Sequence, residues 1–357
     1  MKGDRVFLHG AVILAAVLIF LVSSPLFAGG SGQRQNVFTI YTWAEMFPQE
    51  ILDGFEKESG YRVNYVNFDY NEVMLSRLEN AGGRGYDLVI ADDYIIETVI
   101  EMGLAQKLDR GRLGNFGNIN PVYQGQFYDP ADEYTVPYGA GVQTIVYDPS
   151  RVSVNISAYA DLWSPALRNS IGVTGNYRVV NGIALKVLGG SYNTDDLSYI
   201  RSAGDRLLSL APNIRLIKDD GLDNDILSGE ISVGVMYTDQ VTRSMMENPA
   251  LRVVFPREGI GFGIMAAFIP SGATNPEAAH AFLDYIMDAR RGAECFEYLG
   301  YYSTFSASDP HISRDFRDFL TLPEGFNVDM EMIHNISAEA EEEHSRIWTA
   351  FRAASGN

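Results

Sequence analysis

The sequence predicts an α/β protein of about two units, each an open, largely parallel sheet with helices on both faces. Three observations predict it. From Val37 onward, short apolar runs alternate with amphipathic helical ones. The chain has 357 residues, room for two domains at roughly 150 residues each. Its single cysteine, Cys295, leaves both cores to hydrophobic burial, without disulfides or a Cys-based zinc site.

The elements follow in order. VFTIYT (37–42) reads as a strand, and Pro48 opens a helix whose Ile51, Leu52 and Phe55 share one face before Gly60 stops it. YRVNYVNF (61–68) alternates as a strand, NEVMLSRLENAGG (71–83) is a helix ending in glycines, YDLVIAD (86–92) a buried strand and YIIETVIEMG (94–103) a helix. A second unit starts near Tyr134, where residues 134–148 cross into a new series. It contains strands at 170–174, 214–219 and 231–238 and helices at 178–190 and 196–211. After LRVVFP and GFGIMAAFIP, residues 275–300 read as one long helix with Ala278, Phe282, Ile286 and Met287 on a stripe. The acidic run Glu339 to Glu343 reads as a solvated helix face.

Lys2 and Arg5, an apolar stretch from Ala11 to Val22 and small residues at Ala28, Gly29 and Gly30 have the order of a secretory signal over residues 1–28. This predicts an exported, periplasmic or extracytoplasmic protein. With 27 Lys and Arg against 46 Asp and Glu, the net charge of −19 excludes a basic footprint for nucleic acid and favours a cationic partner. GxSxG, HExxH, Walker and strand-linked GxGxxG patterns are absent, and the histidines do not pair at metal-ligand spacing. No enzymatic activity, cofactor or metal is expected.

In open α/β sheets ligands bind beyond the carboxyl ends of the strands. That rule nominates Trp43, Glu45, Asp69, Tyr70, Asp92, Asp93 and Tyr94 in the first unit, and Asn176, Tyr177, Arg178, Tyr237, Asp239 and Gln240 in the second. Aromatic faces and carboxylates together suit an organic ammonium. Each also has a plain structural reading: Trp43 as a plug, Asp92 and Asp239 as helix caps, Tyr237 as core packing.

The motifs IYTWAEMFPQEILDGFEKESGYRV, YDLVIADDYIIE, LAQKLDRGRLGNFGNINP, YTVPYGAG, DLWSP, GEISVGVMY, FPREG and LGYYSTF run colinearly from Val37 to Phe351. In them the chain resembles the periplasmic spermidine/putrescine-binding proteins of polyamine ABC importers. The resemblance implies a two-lobe periplasmic binding protein fold (type II), with a polyamine in the cleft between lobes and ABC permease subunits as partners of a monomeric receptor. Residues 36–138 with 258–303 would form lobe 1 and 139–257 lobe 2, hinged near 137–140 and 255–259. Residues 304–357 would be a helical segment packing across both.

The family's ligand-binding aromatics match Trp43, Tyr94 and Tyr301, with Tyr237 at a tryptophan position and Asp92 at a serine position. Its other ligand positions fall on Met46, Asn176, Val179, Gly263 and Met265, so several family carboxylates are replaced. Replacement acids are Asp92, Asp93, Glu45, Asp239 and Asp69. The expectation is that Asp92 and Asp239 face each other across the closed cleft and hold the amine ends, while Trp43, Tyr94 and Tyr237 box the methylene chain. A neutral or zwitterionic metabolite is the alternative ligand.

Overall fold

The computed structural model describes residues 36–320 and 328–356; the export signal expected over residues 1–28 lies outside them. The chain begins with β1 (Val37–Thr42), α1 (Gln49–Ser59), β2 (Arg62–Asn67), α2 (Asn71–Ala81), β3 (Leu88–Asp92), α3 (Asp93–Glu101) and a short β4 (Ala105–Gln106). A long strand, β5 (Thr135–Tyr147), leads into β6 (Ile171–Val173), α4 (Tyr177–Val187), α5 (Leu197–Leu208), β7 (Ile214–Ile217), α6 (Leu222–Ser228), β8 (Val233–Tyr237), α7 (Thr238–Glu247) and β9 (Arg252–Val254). The return is β10 (Ile260–Pro270), followed by α8 (Pro276–Ile286), α9 (Ala289–Leu299), α10 (Arg314–Leu320), β11 (Met330–Met332) and α11 (Ala338–Ser355).

The strands run in the order β2-β1-β3-β10-β5-β8-β6-β7. Two parallel ladders, β2-β1-β3 and β8-β6-β7, form the two lobes. Between them lie the crossing strands β10 and β5, antiparallel to each other and to their flanking neighbours. β5 pairs with β10 over Thr135–Val142 and then with β8 over Gln143–Tyr147, so one strand serves both lobes. The β5/β10 register shifts between Met265 and Ala266, opposite Gly139 and Pro137. A proline without an N–H is tolerated at such a bulge.

Each lobe has its own apolar core. Phe38, Phe55 and Phe282 pack edge to face or tilted on one side of the first sheet, and Tyr41, Met74 and Ile96 fill the other. In the second lobe, Ile145, Val180, Leu207 and Phe351 share a core, with Leu222 and Met236 in a smaller cluster opposite.

Two expectations need correction, and one helix went unread. The stretch 275–300 is two helices, because Asp288 adopts an extended conformation and its carboxylate accepts the backbone N–H groups of Arg290 and Arg291, starting α9 afresh. The acidic run on α11 is not wholly solvated: Glu341 accepts from Tyr177 and Arg178, and the buried Glu343 pairs with Arg201 and Arg346. Helix α7, unread in the sequence, buries Thr238, Gln240, Thr242 and Ser244 beside Val241, so its apolar stripe is only Val241 and Met245 and too thin to announce it. In the C-terminal segment, α10 packs on α7 and α9, β11 pairs with β10, and α11 lies on α4 and α5.

Candidate functional site

The crossing strands form the floor on which the strand ends of both lobes meet. Asp92 closes β3 opposite Met265 of β10, and Met265 in turn faces Gly139 of β5. Tyr237 closes β8 opposite Gln143 of β5, and Asp239 follows within the first turn of α7. The turn after Gly300 is anchored by the paired backbone bonds of Tyr302 and Ala140, at 2.9 and 3.3 Å, and this lays Tyr301 on the floor. A Cβ at Gly141 would come within 2.8 Å of the Tyr301 ring, and one at Gly139 within 3.7 Å of its Cβ. Glycine at 141 is therefore what admits the ring. Burial, then the charges of Asp239, Tyr237 and Asp92, keep the Tyr301 phenol well above its ordinary range, so these four groups share one locality.

The two aspartates stand in different surroundings. Burial raises Asp92 to about 6, with Glu72 adding to the shift and a hydrogen bond from Asn71 opposing it. Asn71, itself buried, donates through Nδ2 to Asp92 Oδ2 at 2.8 Å and to the Tyr94 hydroxyl at 3.1 Å. The Tyr94 hydroxyl in turn donates to Glu72 Oε1 at 3.1 Å. Asp239 is also raised, by burial, against the pull of Arg243, which donates to its Oδ2 at 2.8 Å. The same guanidinium donates to Asp223 at 2.8 Å, so two carboxylates share one cation. Asp239 Oδ1 is buried without a close hydrogen-bond partner among the described residues, although a side-chain bond from Tyr301 and a backbone bond from Gln240 also act on this carboxylate. A buried carboxylate oxygen left so is short of a donor.

The remaining nominated residues divide. Trp43 leaves β1 at the sheet edge where Asp92 leaves β3, since Tyr41 lies opposite Val89, and it packs on Phe68 at 4.9 Å. Asn176 caps α4, its Oδ1 accepting from Arg178 and Val179, and its side chain also bonds Tyr237. Asp93 is tied into the framework by the N–H groups of Tyr94 and Ile264 at 2.7 and 2.9 Å; burial and the neighbouring Asp92 raise it to about 8. Glu45 is exposed in a left-handed turn at φ 58°, and its charge acts on Tyr65 and Tyr298. Asp69 is also exposed.

Sequence reasoning missed Asn71, Glu72, Arg243 and Glu341. Arg243 had a signal, its i,i+4 spacing from Asp239. Glu341 had none, because it reaches Tyr177 and Arg178 from the far end of the chain.

The Gly141→Ala variant is expected to lift the Tyr301 ring and weaken ligand binding by about tenfold, since overpacking here costs on the order of 1–3 kcal/mol. Titration calorimetry against Gly117→Ala, where a Cβ meets nothing within 4 Å, checks this. Equal affinities would remove Tyr301 from the binding surface.

With this geometry in hand, comparison with known proteins gives a consistent result. Residues 50–317 match the family of bacterial extracellular solute-binding proteins. The chain is 33% identical over 266 residues to the spermidine/putrescine-binding periplasmic protein of Salmonella typhimurium, covering 73% of this chain and 75% of that one. It is 25% identical over 365 residues to a putrescine/agmatine-binding protein of Pseudomonas aeruginosa, covering 96% and 99% respectively. Among solved structures, the spermidine/putrescine ABC transporter substrate-binding protein of Streptococcus pneumoniae superimposes with a TM-score of 0.79 at 26% identity, covering 89% of this chain and 99% of that one. Two lobes sewn by crossing strands, strand ends converging on one cleft, and a match over most of the chain lead to one assignment: the protein belongs to the bacterial extracellular solute-binding proteins, in the non-enzymatic spermidine/putrescine-binding family that serves ABC transporters.

Proposed function

We propose that this receptor captures a polyamine, putrescine or spermidine, in the interlobe cleft after export through the 1–28 signal, and delivers it as a monomer to an ABC permease. In this reading lobe 1 comprises 36–138 and 258–303 and lobe 2 comprises 139–257. The observation that carries it is the convergence of two carboxylates raised by burial, Asp92 at the end of β3 and Asp239 at the start of α7, with Tyr301 near both. One ammonium meets Asp92 and another meets Asp239 Oδ1, while Trp43, Tyr94, Tyr237 and Tyr301 enclose the alkyl chain. Glu45, exposed at the rim, and Asn176, at the α4 cap, belong to the same proposed ligand surface. Titration calorimetry with putrescine and spermidine tests the reading, and silence at millimolar concentration would sink it while leaving the receptor assignment intact. A zwitterionic ligand is the second reading, favoured by Arg243 already holding Asp239. Tighter binding of an amino acid than of putrescine would establish it.

The same site predicts a pH dependence. Primary amines stay protonated well above neutrality, so the titrating partner is Asp92, raised to about 6 in the empty cleft. Below that value the carboxyl must lose its proton before it can meet the ammonium. Affinity for putrescine should be flat above pH 7 and fall by about tenfold per unit at pH 5 and below. Calorimetry in two buffers of different ionisation enthalpy should register proton release at pH 5.5 and little at pH 8.

A further inference from the structure

Adjacent tyrosines go to different places. Tyr301 lies on the cleft floor, whereas Tyr302 lines a separate cavity of about 190 Å³ beneath α10. Three aromatic residues contribute to its wall: Phe255 after β9, Tyr302 of the anchored turn, and Phe319 of α10. The hydroxyls of Thr238 and Thr242, which also line it, are engaged with the backbone of Val142 and Gly300. Among the described residues Asp318 is the one charged side chain in the lining. The neighbouring Arg317 donates to the carbonyls of Pro310 and Ile312.

We propose that this cavity is a second binding site, for a small organic ammonium held by the three rings and Asp318. Rings and one carboxylate bordering a cavity of this size are the groups from which a cage for alkylated ammonium is built. An anion would meet Asp318 and a chain of net charge −19. A hard metal ion wants six or more oxygens, and the described residues hold no cluster of three metal-binding side chains. A neutral apolar guest would gain from the rings but nothing from the carboxylate. The site stands whether or not the cleft takes a polyamine.

Choline is the probe, with 3,3-dimethyl-1-butanol as its uncharged counterpart, titrated into the full chain by calorimetry. Choline should bind at millimolar or lower concentration. Its dissociation constant should rise by at least about tenfold in Asp318→Asn and in Phe319→Leu, and by as much for the neutral alcohol on the unaltered protein. Asp92→Asn should leave choline binding unchanged, and the two α10 variants should leave putrescine binding unchanged. Absence of choline binding, loss of it in Asp92→Asn, indifference to Asp318→Asn, or equal affinity for the alcohol would each overturn the assignment. The Asp318 substitution is on an exposed residue, so folding is retained and the outcome decides.

Discussion

Asp92→Asn is expected to lower the affinity for putrescine by about a hundredfold, and at the same time to raise the melting temperature of the unliganded protein. Removing one partner of a buried ion pair costs about 3–5 kcal/mol; Asp92 is only partly enclosed, which puts the loss near 3 kcal/mol, or two decades at about 1.4 kcal/mol each. The gain in stability has the opposite origin. Folding moves the Asp92 carboxyl from an ordinary 3.8 to about 6, so the folded state binds the proton more tightly than the unfolded chain. Its contribution therefore becomes less favourable as pH rises from about 4 to 6, and the full penalty, on the order of 3 kcal/mol before solvent screening, persists above that window. An asparagine has no such titration. The variant should melt a few degrees higher at pH 7.5 and show almost no gain at pH 3.5. A loss of stability at pH 7.5, or unchanged putrescine affinity, would show that the Asp92 carboxylate serves only its bond from Asn71.

Gly182→Ala should destabilise the protein by about 3 kcal/mol. The substitution looks favourable on local grounds, because alanine in a helix interior gains about 1 kcal/mol over glycine. Packing decides against it: a Cβ at Gly182 would lie 2.0 Å from the Tyr192 ring. That ring is fully buried, lies 5.3 Å from the Lys186 ammonium, and belongs to a residue whose carbonyl accepts from Arg178. Lys186 is in turn clasped by Glu331 at 2.6 Å and Asp329 at 3.4 Å, so the tyrosine cannot retreat without loosening the join of α4 to β11. Urea denaturation beside Gly117→Ala, expected to be neutral or slightly stabilising, separates the clash from the helix preference. A midpoint unchanged at position 182 would mean that the ring moves freely.

Such contacts mark the limit of what the sequence could reveal. Alternation of apolar residues was enough to place β1 at residues 37–42, where it is observed, and the glycines after α1 and α2 read as stops, where the chain turns left-handed. The strand-end rule led to Asp92 and Tyr237 because each is the last residue of a strand, with a helix following at once. Pattern fails where polarity is buried. Helix α7 buries mostly threonine, glutamine and serine with Val241, and Asn71 orders Asp92 and Tyr94 across 21 and 23 residues of chain. Nothing periodic records a bond between a helix start and the end of the next strand. The division of 275–300 into two helices turned on one side chain, Asp288, which a hydrophobic stripe does not report.

The placement of β10 also has a consequence for assembly. The partner that β3 needs along its inner edge, residues 265–268, is synthesised more than 170 residues after it. Until then the first lobe has an unfinished margin, and all the strands from β5 to β9 are made in the interval. Long sequence separations of this kind retard folding, because chain ends must be brought together before native contacts reward the closure. Refolding from denaturant should accordingly be slow, and the nascent protein should stay unfolded long enough to be handed on as an open strand.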